Sequence, residues 1–322
     1  MTTWLVTGGA GYIGAHVVRA FMAEGIRPVV LDDLSSGFRS FVPDGVAFVE
    51  GDIRDTELVT NTLIDRDCEG VVHIAGFKYA GVSVERPLST FSINAMGTAS
   101  VLEAVDYAAV RHIVFSSSAA VYGTPDTDLV TEDEPLHPES PYGESKLVSE
   151  WLIRDVERTR PEFHGVSLRY FNVVGSATNE VYDASPHNLF PLVVQALLDG
   201  KTPRIYGDDY PTPDGTCVRD YVHVGDLAVS HVAAAKALMD GRALAPVYNL
   251  GSGDGLSVRQ IMNAFARVTG LDFVPDVAPR RPGDPARIVA DGTAAARDLN
   301  WAMRHSVDEM VSSAWYARRT DT

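Results

Sequence analysis

The chain contains 322 residues, of which 45% are hydrophobic, and it carries a formal net charge of −16 at pH 7. This length suits one large α/β domain or two interleaved domains with a full core. The acidic balance argues against a nucleic-acid partner, because nucleic-acid-binding proteins usually carry a basic face. No apolar run approaches the ~20 residues that a membrane span requires, so we expect no membrane association.

Two cysteines, Cys68 and Cys217, lie far apart in the sequence. They lack metal-ligand spacing, so we predict free thiols, no metal site and a reducing, cytoplasmic location. The N-terminal residues lead directly into a predicted strand, without the basic and apolar segments that open a secretory signal.

The first elements predict a dinucleotide-binding unit. An apolar strand at 4–7 runs into a glycine-rich turn at 8–14, a helical pattern follows until Gly25, and a second strand at 28–31 comes next. Glycines allow a pyrophosphate to approach the backbone, and the N-terminus of the helix attracts its charge. The predicted cofactor contacts in this turn are Gly8, Gly11, Tyr12, Ile13 and Gly14.

Asp32, at the end of the second strand, predicts which dinucleotide binds. A carboxylate at this position accepts hydrogen bonds from the ribose hydroxyls and repels a 2′-phosphate, so we predict NAD rather than NADP. The alternative is that Asp32 only caps the turn in the sequence Asp-Asp-Leu-Ser-Ser-Gly. Asp33 and Ser36 in the same turn are further candidates for cofactor contacts.

The next two strands end in four more candidates for cofactor contacts. After a strand and turn at 47–53, Asp52 either meets the adenine amino group or caps a helix predicted at 55–63. The other candidates are Ile53 in that turn, Ala75 at the small-residue end of a strand at 70–76, and Lys78 in the following loop. Lys78 either reaches cofactor hydroxyls or is a solvated loop lysine, and His73 inside the strand is predicted to be a core side chain.

A helix predicted at 90–108 carries Asn94, another candidate contact, in its first turns. Because strands alternate with helices through this part of the chain, we predict an α/β fold with a parallel, doubly wound, Rossmann-like sheet and right-handed crossovers. We expect an NAD-binding domain at 1–171 and a smaller α/β substrate domain at 172–322. A strand near 247–250 belongs either to the second domain or to the main sheet.

Three side chains of catalytic type are predicted to meet at the carboxyl edge of this sheet. A buried strand at 113–115 delivers Ser118 to that edge. Tyr142 and Lys146 follow Pro141 and are four residues apart, which places both on one face of a helix. Taken alone, this pattern also fits a surface tyrosine and lysine on a solvated helix.

Several motifs together resemble one enzyme family. The glycine-rich turn, Asp32, Ser-Ser-Ser-Ala-Ala-Val-Tyr-Gly at 116–123 and Tyr-Gly-Glu-Ser-Lys at 142–146 look like those of the extended short-chain dehydrogenase/reductases. The segments that resemble the UDP-hexose 4-epimerases of that family are Arg-Tyr-Phe-Asn at 169–172, the run at 206–224, Arg-Arg-Pro-Gly-Asp at 280–284 and Leu-Asn-Trp at 299–301. The resemblance covers the whole chain.

The resemblance implies a catalytic triad of Ser118, Tyr142 and Lys146, with NAD contacted by Tyr142, Lys146 and Phe171. The implied substrate contacts are Ser118, Tyr142, Asn172, Asn188, Leu189, Tyr206, Arg219, Arg281 and Asp284. Arginine suits a pyrophosphate, because its planar fork binds two oxygens at once. Alternatively, Arg219 and Arg281 form surface ion pairs with Asp220 and Asp284, and Tyr206 only packs its strand.

The implied reaction interconverts UDP-glucose and UDP-galactose through a 4-keto sugar, a step of galactose metabolism. Tyr142 as phenolate would take the proton of the sugar 4-hydroxyl, and Ser118 would hydrogen-bond the same oxygen. A phenolate at neutral pH requires about 4 kcal/mol of stabilisation. An ammonium at ~5 Å in an effective dielectric of ~20 supplies roughly 3 kcal/mol, so we expect Lys146, helped by the positive nicotinamide ring, to be sufficient.

Other readings of the same residues remain open. The alternatives are a 4-epimerase or 4-ketoreductase for another nucleotide sugar, such as UDP-N-acetylglucosamine or a UDP-uronate, and an NAD-binding scaffold without chemistry. Ile288 lies where the family limits the group on sugar C2, and its modest size favours N-acetylated substrates. No carboxylate at 117–120 is available for dehydration.

The helices at 90–108 and 142–158 have broad apolar faces, which in the family pair across a two-fold axis, so a homodimer is expected.

Overall fold

The computed structural model describes residues 2–281 and 284–319, and it is built from strands and helices in alternation. The strands are β1 (Thr3–Thr7), β2 (Arg27–Asp32), β3 (Ala47–Glu50), β4 (Cys68–His73), β5 (His112–Ser116), β6 (His164–Tyr170), β7 (Asn172–Val174), β8 (Arg204–Tyr206), β9 (Val218–Arg219), β10 (Tyr221–His223), β11 (Val247–Leu250), β12 (Leu256–Ser257), β13 (Asp276–Ala278) and β14 (Arg287–Ile288). The helices are α1 (Tyr12–Ala23), α2 (Thr56–Asp65), α3 (Ala80–Glu85), α4 (Pro87–Phe91), α5 (Gly97–Tyr107), α6 (Pro141–Thr159), α7 (Leu189–Leu198), α8 (Val224–Met239), α9 (Val258–Thr269), α10 (Thr293–Leu299) and α11 (Val307–Arg319).

Within the described ranges, seven strands form one parallel sheet in the order β11-β6-β5-β4-β1-β2-β3. Alternate residues of its strands enter two separate cores. Trp4 and Val6 pack with α1 and α8 on one face, whereas Leu5 packs with α2, α5 and α6 on the other. Because helices cover both faces of the sheet, side chains on both sides of each strand are buried. The strands are therefore continuous apolar runs rather than alternations of apolar and polar residues. The predicted doubly wound, Rossmann-like fold is confirmed.

The strand β11 extends the main sheet by pairing in parallel with β6. Two segments from the second half of the chain, β11 and α8, therefore belong to the nucleotide-binding layer, because α8 also packs on the sheet with α1. The chain crosses between its two halves more than once. A division at residue 171 stays a prediction, although β11 and α8 from the second half of the chain lie with the nucleotide-binding layer.

The rest of the C-terminal half forms a smaller lobe over the carboxyl edge of the sheet. Helices α7, α9 and α11 enclose a third core around Phe190 and Phe265. Short strands β12, β9 and β14 form a small sheet, and β8 pairs with β13. These strands face the glycine-rich turn across a cleft, so the lobe supplies the second wall of that cleft.

The helix predicted at 90–108 differs from the structure in its start and in its regularity. Pro87 opens α4 three residues earlier, and a π-helical segment, Ser92–Met96, separates α4 from α5. Proline is well suited to a first helical turn, which explains the earlier start. The π-helical turn places the Asn94 side chain against a neighbouring loop, a long-range contact that a single-helix pattern does not reveal.

Membrane insertion through a helix finds no support in the fold. No helix in the described part of the chain combines the length and apolar character needed to cross a bilayer.

Candidate active site

A cleft of about 1960 Å³ runs along the carboxyl edge of the sheet, between the nucleotide-binding layer and the smaller lobe. It brings together nearly all of the site residues predicted from the sequence. Those that line it are Gly8, Gly11, Tyr12, Ile13, Gly14, Asp32, Asp33, Ser36, Asp52, Ile53, Ala75, Lys78, Ser118, Tyr142, Lys146, Phe171, Asn172, Asn188, Leu189, Tyr206, Arg219, Arg281, Asp284 and Ile288. Asn94 is the exception.

The glycine-rich turn after β1 lines the cleft and has the geometry of an anion cradle. A Cβ added to Gly14 would lie 2.1 Å from the Gly8 carbonyl oxygen, so a side chain would fill the turn. Helix α1 begins after Gly11, which provides no side-chain cap, and its first turn contains no acidic residue. Its first N–H groups are therefore open to a ligand. This donor set fits the pyrophosphate of NAD.

Asp32 both caps its turn and faces the cleft. Its Oδ2 accepts a hydrogen bond from the Ala10 N–H at 2.9 Å, and its Oδ1 accepts one from the Leu34 N–H at 2.9 Å. Burial raises the pKa of Asp32, while these two N–H groups oppose the rise. Each carboxylate oxygen has a second lone pair, so ribose hydroxyls can still bind. The two interpretations made from the sequence are therefore compatible.

Asp52 lies on the rim of the cleft and does not cap α2. The cap is Asp55, whose Oδ1 accepts a hydrogen bond from the Leu58 N–H at 3.0 Å. Asp52 instead binds the guanidinium of Arg54, with 2.5 Å between Nη2 and Oδ2. This contact holds the pKa of Asp52 below its ordinary value. The capping alternative for Asp52 is wrong, because the helix begins one residue later than predicted.

Asn94 lies behind the cleft wall, and both of its amide protons are used there. Its Nδ2 donates to the Phe77 carbonyl at 3.1 Å and to the Ser145 Oγ at 2.9 Å, while its Oδ1 accepts from the Phe77 N–H at 2.6 Å. Asn94 thus ties the loop after β4 to α6. A direct contact between Asn94 and a cofactor stays a prediction from the sequence, and its visible role is to position these two elements.

Ser118, Tyr142 and Lys146 meet in the middle of the cleft. Ser140 caps α6 by accepting a hydrogen bond from the Gly143 N–H, and Pro141 is the first helical residue, so the register of the helix is fixed at its start. The Ser118 hydroxyl hydrogen-bonds the Tyr142 phenol. Tyr142 and Lys146 are only 9% and 4% exposed. Burial rules out the alternative of two solvated surface side chains.

Burial controls the protonation of both groups. It raises the pKa of Tyr142, and the hydrogen bond from Ser118 opposes that rise. It lowers the pKa of Lys146 to about 8, and the negative charge of Glu150 opposes that fall. In the chain alone, burial thus disfavours the phenolate. The expectation that Lys146 and a bound nicotinamide ring together bring Tyr142 close to neutral pH stays a prediction, and it did not include this desolvation.

Lys146 is held by neighbours that the sequence did not reveal. Its Nζ donates a hydrogen bond to the Ser116 carbonyl at 2.9 Å and lies 4.8 Å from the centre of the Phe115 ring. His73 of β4 is a core side chain, as predicted, with Nδ1 2.8 Å from the Thr7 Oγ1. Burial and the nearby Lys146 charge lower the pKa of His73 to about 3, so the ring stays neutral.

The arginines of the smaller lobe do not form the ion pairs considered from the sequence. The carboxylate of Asp220 points inward, where it accepts hydrogen bonds from the N–H groups of Ser252, Gly253 and Ala290. Arg219 lies instead 3.6 Å from Asp284, measured from Nη2 to Oδ1. In the described ranges no ion pair joins Arg281 to Asp284.

Arg281 stacks on Tyr206, with 4.0 Å between the guanidinium carbon and the centre of the ring. Tyr206 therefore presents its ring to the cleft rather than serving only as packing within β8. Two guanidinium groups, Arg219 and Arg281, consequently lie on the same wall of the cleft. In a strongly acidic chain, such a pair is suited to an anionic ligand with several oxygens.

Two asparagines complete the wall that faces the catalytic side chains. The Asn172 Nδ2 donates to the Asp220 carbonyl at 3.0 Å. Asn188 precedes the first residue of α7, Leu189, and its Nδ2 donates to Asp183 Oδ2 at 3.0 Å, so its side chain does not cap the helix. The first N–H groups of α7 therefore have no side-chain cap from Asn188, which lines the cleft.

A cluster of potential metal ligands, His223, Asp226 and His305, lies apart from these residues. The two imidazole rings stack with centres 3.7 Å apart and an interplanar angle of 18°. Stacked rings cannot both direct a nitrogen lone pair at one ion. Asp226 accepts hydrogen bonds from the N–H groups of Arg304 and His305, which indicates a structural role in joining α8 to the last segment.

Comparisons with known proteins agree with this geometry. The sequence profile of the "NAD dependent epimerase/dehydratase family" matches residues 4–251. A UDP-glucose 4-epimerase of Streptomyces lividans is 43% identical over 317 residues, covering 97% of this chain and 94% of the relative. Among solved structures, the UDP-glucose 4-epimerase of Stenotrophomonas maltophila with NAD and formylated UDP-arabinopyranose is 37% identical with a TM-score of 0.94, covering 100% of this chain and 99% of the other. The Bifidobacterium longum enzyme with NAD+ and UDP is 36% identical with a TM-score of 0.92, covering 99% of each chain.

The protonation analysis predicts that Tyr142 stays a neutral phenol in the chain stripped of cofactor. Phenolate absorbance should be titrated in the wild type and in Tyr142→Phe, and the difference between them should have its midpoint above that of an ordinary tyrosine. Because the hydrogen bond from Ser118 favours the phenolate, Ser118→Ala should move the ionisation of Tyr142 to still higher pH. A difference signal that develops near neutral pH would instead mean that Lys146 overcomes the desolvation of the phenol.

Proposed function

Because the chain belongs to the NAD dependent epimerase/dehydratase family, we propose that it interconverts UDP-glucose and UDP-galactose by epimerisation at C4 of the sugar. The observation that carries the proposal is that one cleft is lined by an anion cradle, by two arginines of the smaller lobe, and by Ser118, Tyr142 and Lys146. A dinucleotide and a sugar nucleotide would then meet at the triad.

Each member of the triad has a separate task in this reaction. Tyr142 takes the proton from the sugar 4-hydroxyl, and the hydroxyl of Ser118 hydrogen-bonds the same oxygen. Lys146, as an ammonium, favours the phenolate form of Tyr142. Bound NAD would accept the hydride from C4 and return it to the opposite face of the sugar, so the net reaction needs no separate oxidant.

The surroundings of Ser118 support epimerisation over dehydration. Elimination of water needs an acid and a base beside the sugar, and residues 117–120 provide no carboxylate. The nearest carboxylate to this segment is Glu150, which accepts a hydrogen bond from the Ser117 Oγ at 2.5 Å and is 8% exposed. Glu150 does not line the cleft and is already bound, so it is not available to a substrate.

The smaller lobe supports binding of a uridine diphosphate. We propose that Arg219 and Arg281 bind the two phosphates and that uracil lies against the face of Tyr206 that Arg281 leaves free. Asn172, Asn188 and Leu189 line the adjoining wall and would contact the sugar nucleotide. Asp284, 3.6 Å from Arg219, would hold that guanidinium in position.

Incubation of the purified protein with UDP-galactose, without added NAD, tests this function directly. We expect UDP-glucose to appear, because the cofactor returns to its starting state and can stay bound. Tyr142→Phe should lower kcat by about 10³-fold while the protein still binds NAD, since only the proton acceptor is lost. Tyr248→Phe is the matched control, because Tyr248 is fully buried in β11 away from the cleft. A wild-type protein that binds NAD yet forms no UDP-glucose would contradict the proposed substrate.

The size of Ile288 supports a second substrate, UDP-N-acetylglucosamine. Ile288 lines the cleft from β14, is 8% exposed, and pairs with Arg219 in the small sheet. If this side chain faces the sugar C2 group, Ile288→Tyr should lower turnover of UDP-N-acetylglucosamine more than turnover of UDP-galactose. Equal losses for both substrates, or negligible wild-type turnover of the N-acetylated sugar beside UDP-galactose, would contradict this hypothesis.

We also propose that two copies of the chain pair through α4–α6. Three apolar side chains on the outer surface of these neighbouring segments are unusually exposed: Leu88 at 85%, Met96 at 61% and Trp151 at 44%. Exposed apolar groups on neighbouring helices favour association. Sedimentation should show a dimer of the wild type and a monomer of Leu88→Glu. Val274→Glu, which alters an equally exposed side chain (84%) in the other lobe, should stay dimeric.

We propose a cytoplasmic location because the two cysteines are free thiols. Cys68 and Cys217 are both buried and free. Burial raises the pKa of the Cys68 thiol to about 12, which keeps the thiol protonated and unreactive. Neither residue is used as a disulfide, as expected for a protein of a reducing compartment.

A further inference from the structure

A buried ion pair beneath the catalytic triad has no part in the chemistry described so far. Glu150 lies four residues after Lys146 on α6, and Arg169 lies on β6. The pair is bidentate, with 2.9 Å from Arg169 Nε to Glu150 Oε1 and 2.6 Å from Nη2 to Oε2. Arg169 is 3% exposed and Glu150 is 8% exposed. Both charges are therefore removed from solvent at the base of the active site.

The same pair holds the chain on both sides of Ser118. Before Ser118, the Ser117 Oγ donates to Glu150 Oε1 at 2.5 Å. After it, and beyond the short turn Ala119–Val121, Arg169 Nη1 donates to the Tyr122 hydroxyl at 2.8 Å. Tyr122 in turn donates to Asn249 Oδ1 at 2.7 Å, which anchors it to β11. The backbone that presents the catalytic hydroxyl is thus fixed at two points by one ion pair.

Glu150 also contributes to the charge balance around Lys146. The groups that face this ammonium are Tyr142 on its own helix, His73 from β4, and the Ser116 carbonyl and Phe115 ring from β5. His73 is neutral, and Tyr142 is a neutral phenol in the chain alone. Among these described neighbours, Glu150 is the one that brings a negative charge.

We propose that the Glu150–Arg169 pair is a positioning element that fixes the backbone on both sides of Ser118 and places a negative charge one helical turn from Lys146. This inference rests on the proposed function, because it assumes that Ser118 and Lys146 are catalytic. A purely structural pair could be replaced by apolar side chains of similar volume. Here the carboxylate holds Ser117, the residue before Ser118, and the guanidinium holds Tyr122, four residues after it, so apolar replacement would remove both links.

The chain is well suited to a direct measurement of Lys146, because it contains only four lysines: Lys78, Lys146, Lys201 and Lys236. Lysine labelled with ¹³C at Cε would give a spectrum simple enough to assign with Lys146→Arg. We expect the wild-type Lys146 signal to titrate near pH 8. In Glu150→Gln this midpoint should move to lower pH, because the neighbouring negative charge is lost while the side-chain volume is kept.

The same variants separate charge from position in the epimerase assay. Glu150→Gln should lower kcat for UDP-galactose by about 10- to 100-fold with little change in KM, and the alkaline limb of its pH profile should move down with Lys146. Glu150→Asp keeps the negative charge but shortens the side chain. The Lys146 titration midpoint should therefore lie closer to the wild-type value than in Glu150→Gln, while kcat stays low. Asp226→Asn, which alters an equally buried carboxylate (4% exposed) away from the triad, should change neither quantity.

Ser117→Ala keeps the proposal testable if Glu150→Gln fails to fold. It leaves the ion pair intact and removes only the link to Ser118, so kcat should fall while the Lys146 midpoint stays near pH 8. Wild-type kcat in Ser117→Ala, or an unchanged Lys146 midpoint in folded Glu150→Gln, would overturn the proposal. A wild type without epimerase activity would defeat the proposed function, whereas the lysine titration would still test the role of Glu150.

Discussion

The burial of the Lys146 ammonium is the constraint on which the rest of the active site depends. A charged group with 4% exposure is strongly disfavoured unless its surroundings replace water. The structure supplies a carbonyl from Ser116, the ring of Phe115 and the negative charge of Glu150. Glu150 is itself buried and requires Arg169. The surroundings of one buried ammonium therefore include side chains on α6, β5 and β6. Removing one partner of a buried ion pair such as Glu150–Arg169 typically costs about 3–5 kcal/mol.

The same burial explains why the chain alone does not contain a ready base. Tyr142 lies in the environment that disfavours its phenolate, and Ser118 offsets only part of that effect. Because the pKa of Lys146 is lowered to about 8, its ammonium is retained at neutral pH and is lost as the pH rises through that value. Further positive charge in the cleft would offset that desolvation and favour the phenolate.

Local features of the sequence were sufficient to predict the fold and most of the residues that line the cleft. The glycine-rich turn, Asp32 and the Tyr142–Lys146 spacing are short-range patterns whose geometry is fixed by one turn or one helix. Long-range features were not accessible in this way. The π-helical turn at Asn94 and the inward carboxylate of Asp220 depend on partners far along the chain. Glu150 could have been identified from the sequence, because it continues the four-residue spacing of Tyr142 and Lys146. Its partner Arg169 could not, because its position depends on the pairing of β6 with β5.

The contacts that hold the arginines of the smaller lobe show how an acidic chain can keep guanidinium groups available for an anionic ligand. Arg280 is held by a carboxylate, with 2.6 Å from its Nε to Asp209 Oδ1, whereas the adjacent Arg281 is held by the Tyr206 ring. A ring face orients a guanidinium without using its N–H donors, which remain free for phosphate oxygens. Arg219 is held by a hydrogen bond from its Nη1 to the Val218 carbonyl at 2.9 Å and by a longer contact to Asp284 at 3.6 Å. Arg219 and Arg281 both line the cleft, which gives this strongly acidic chain two guanidinium groups at one site.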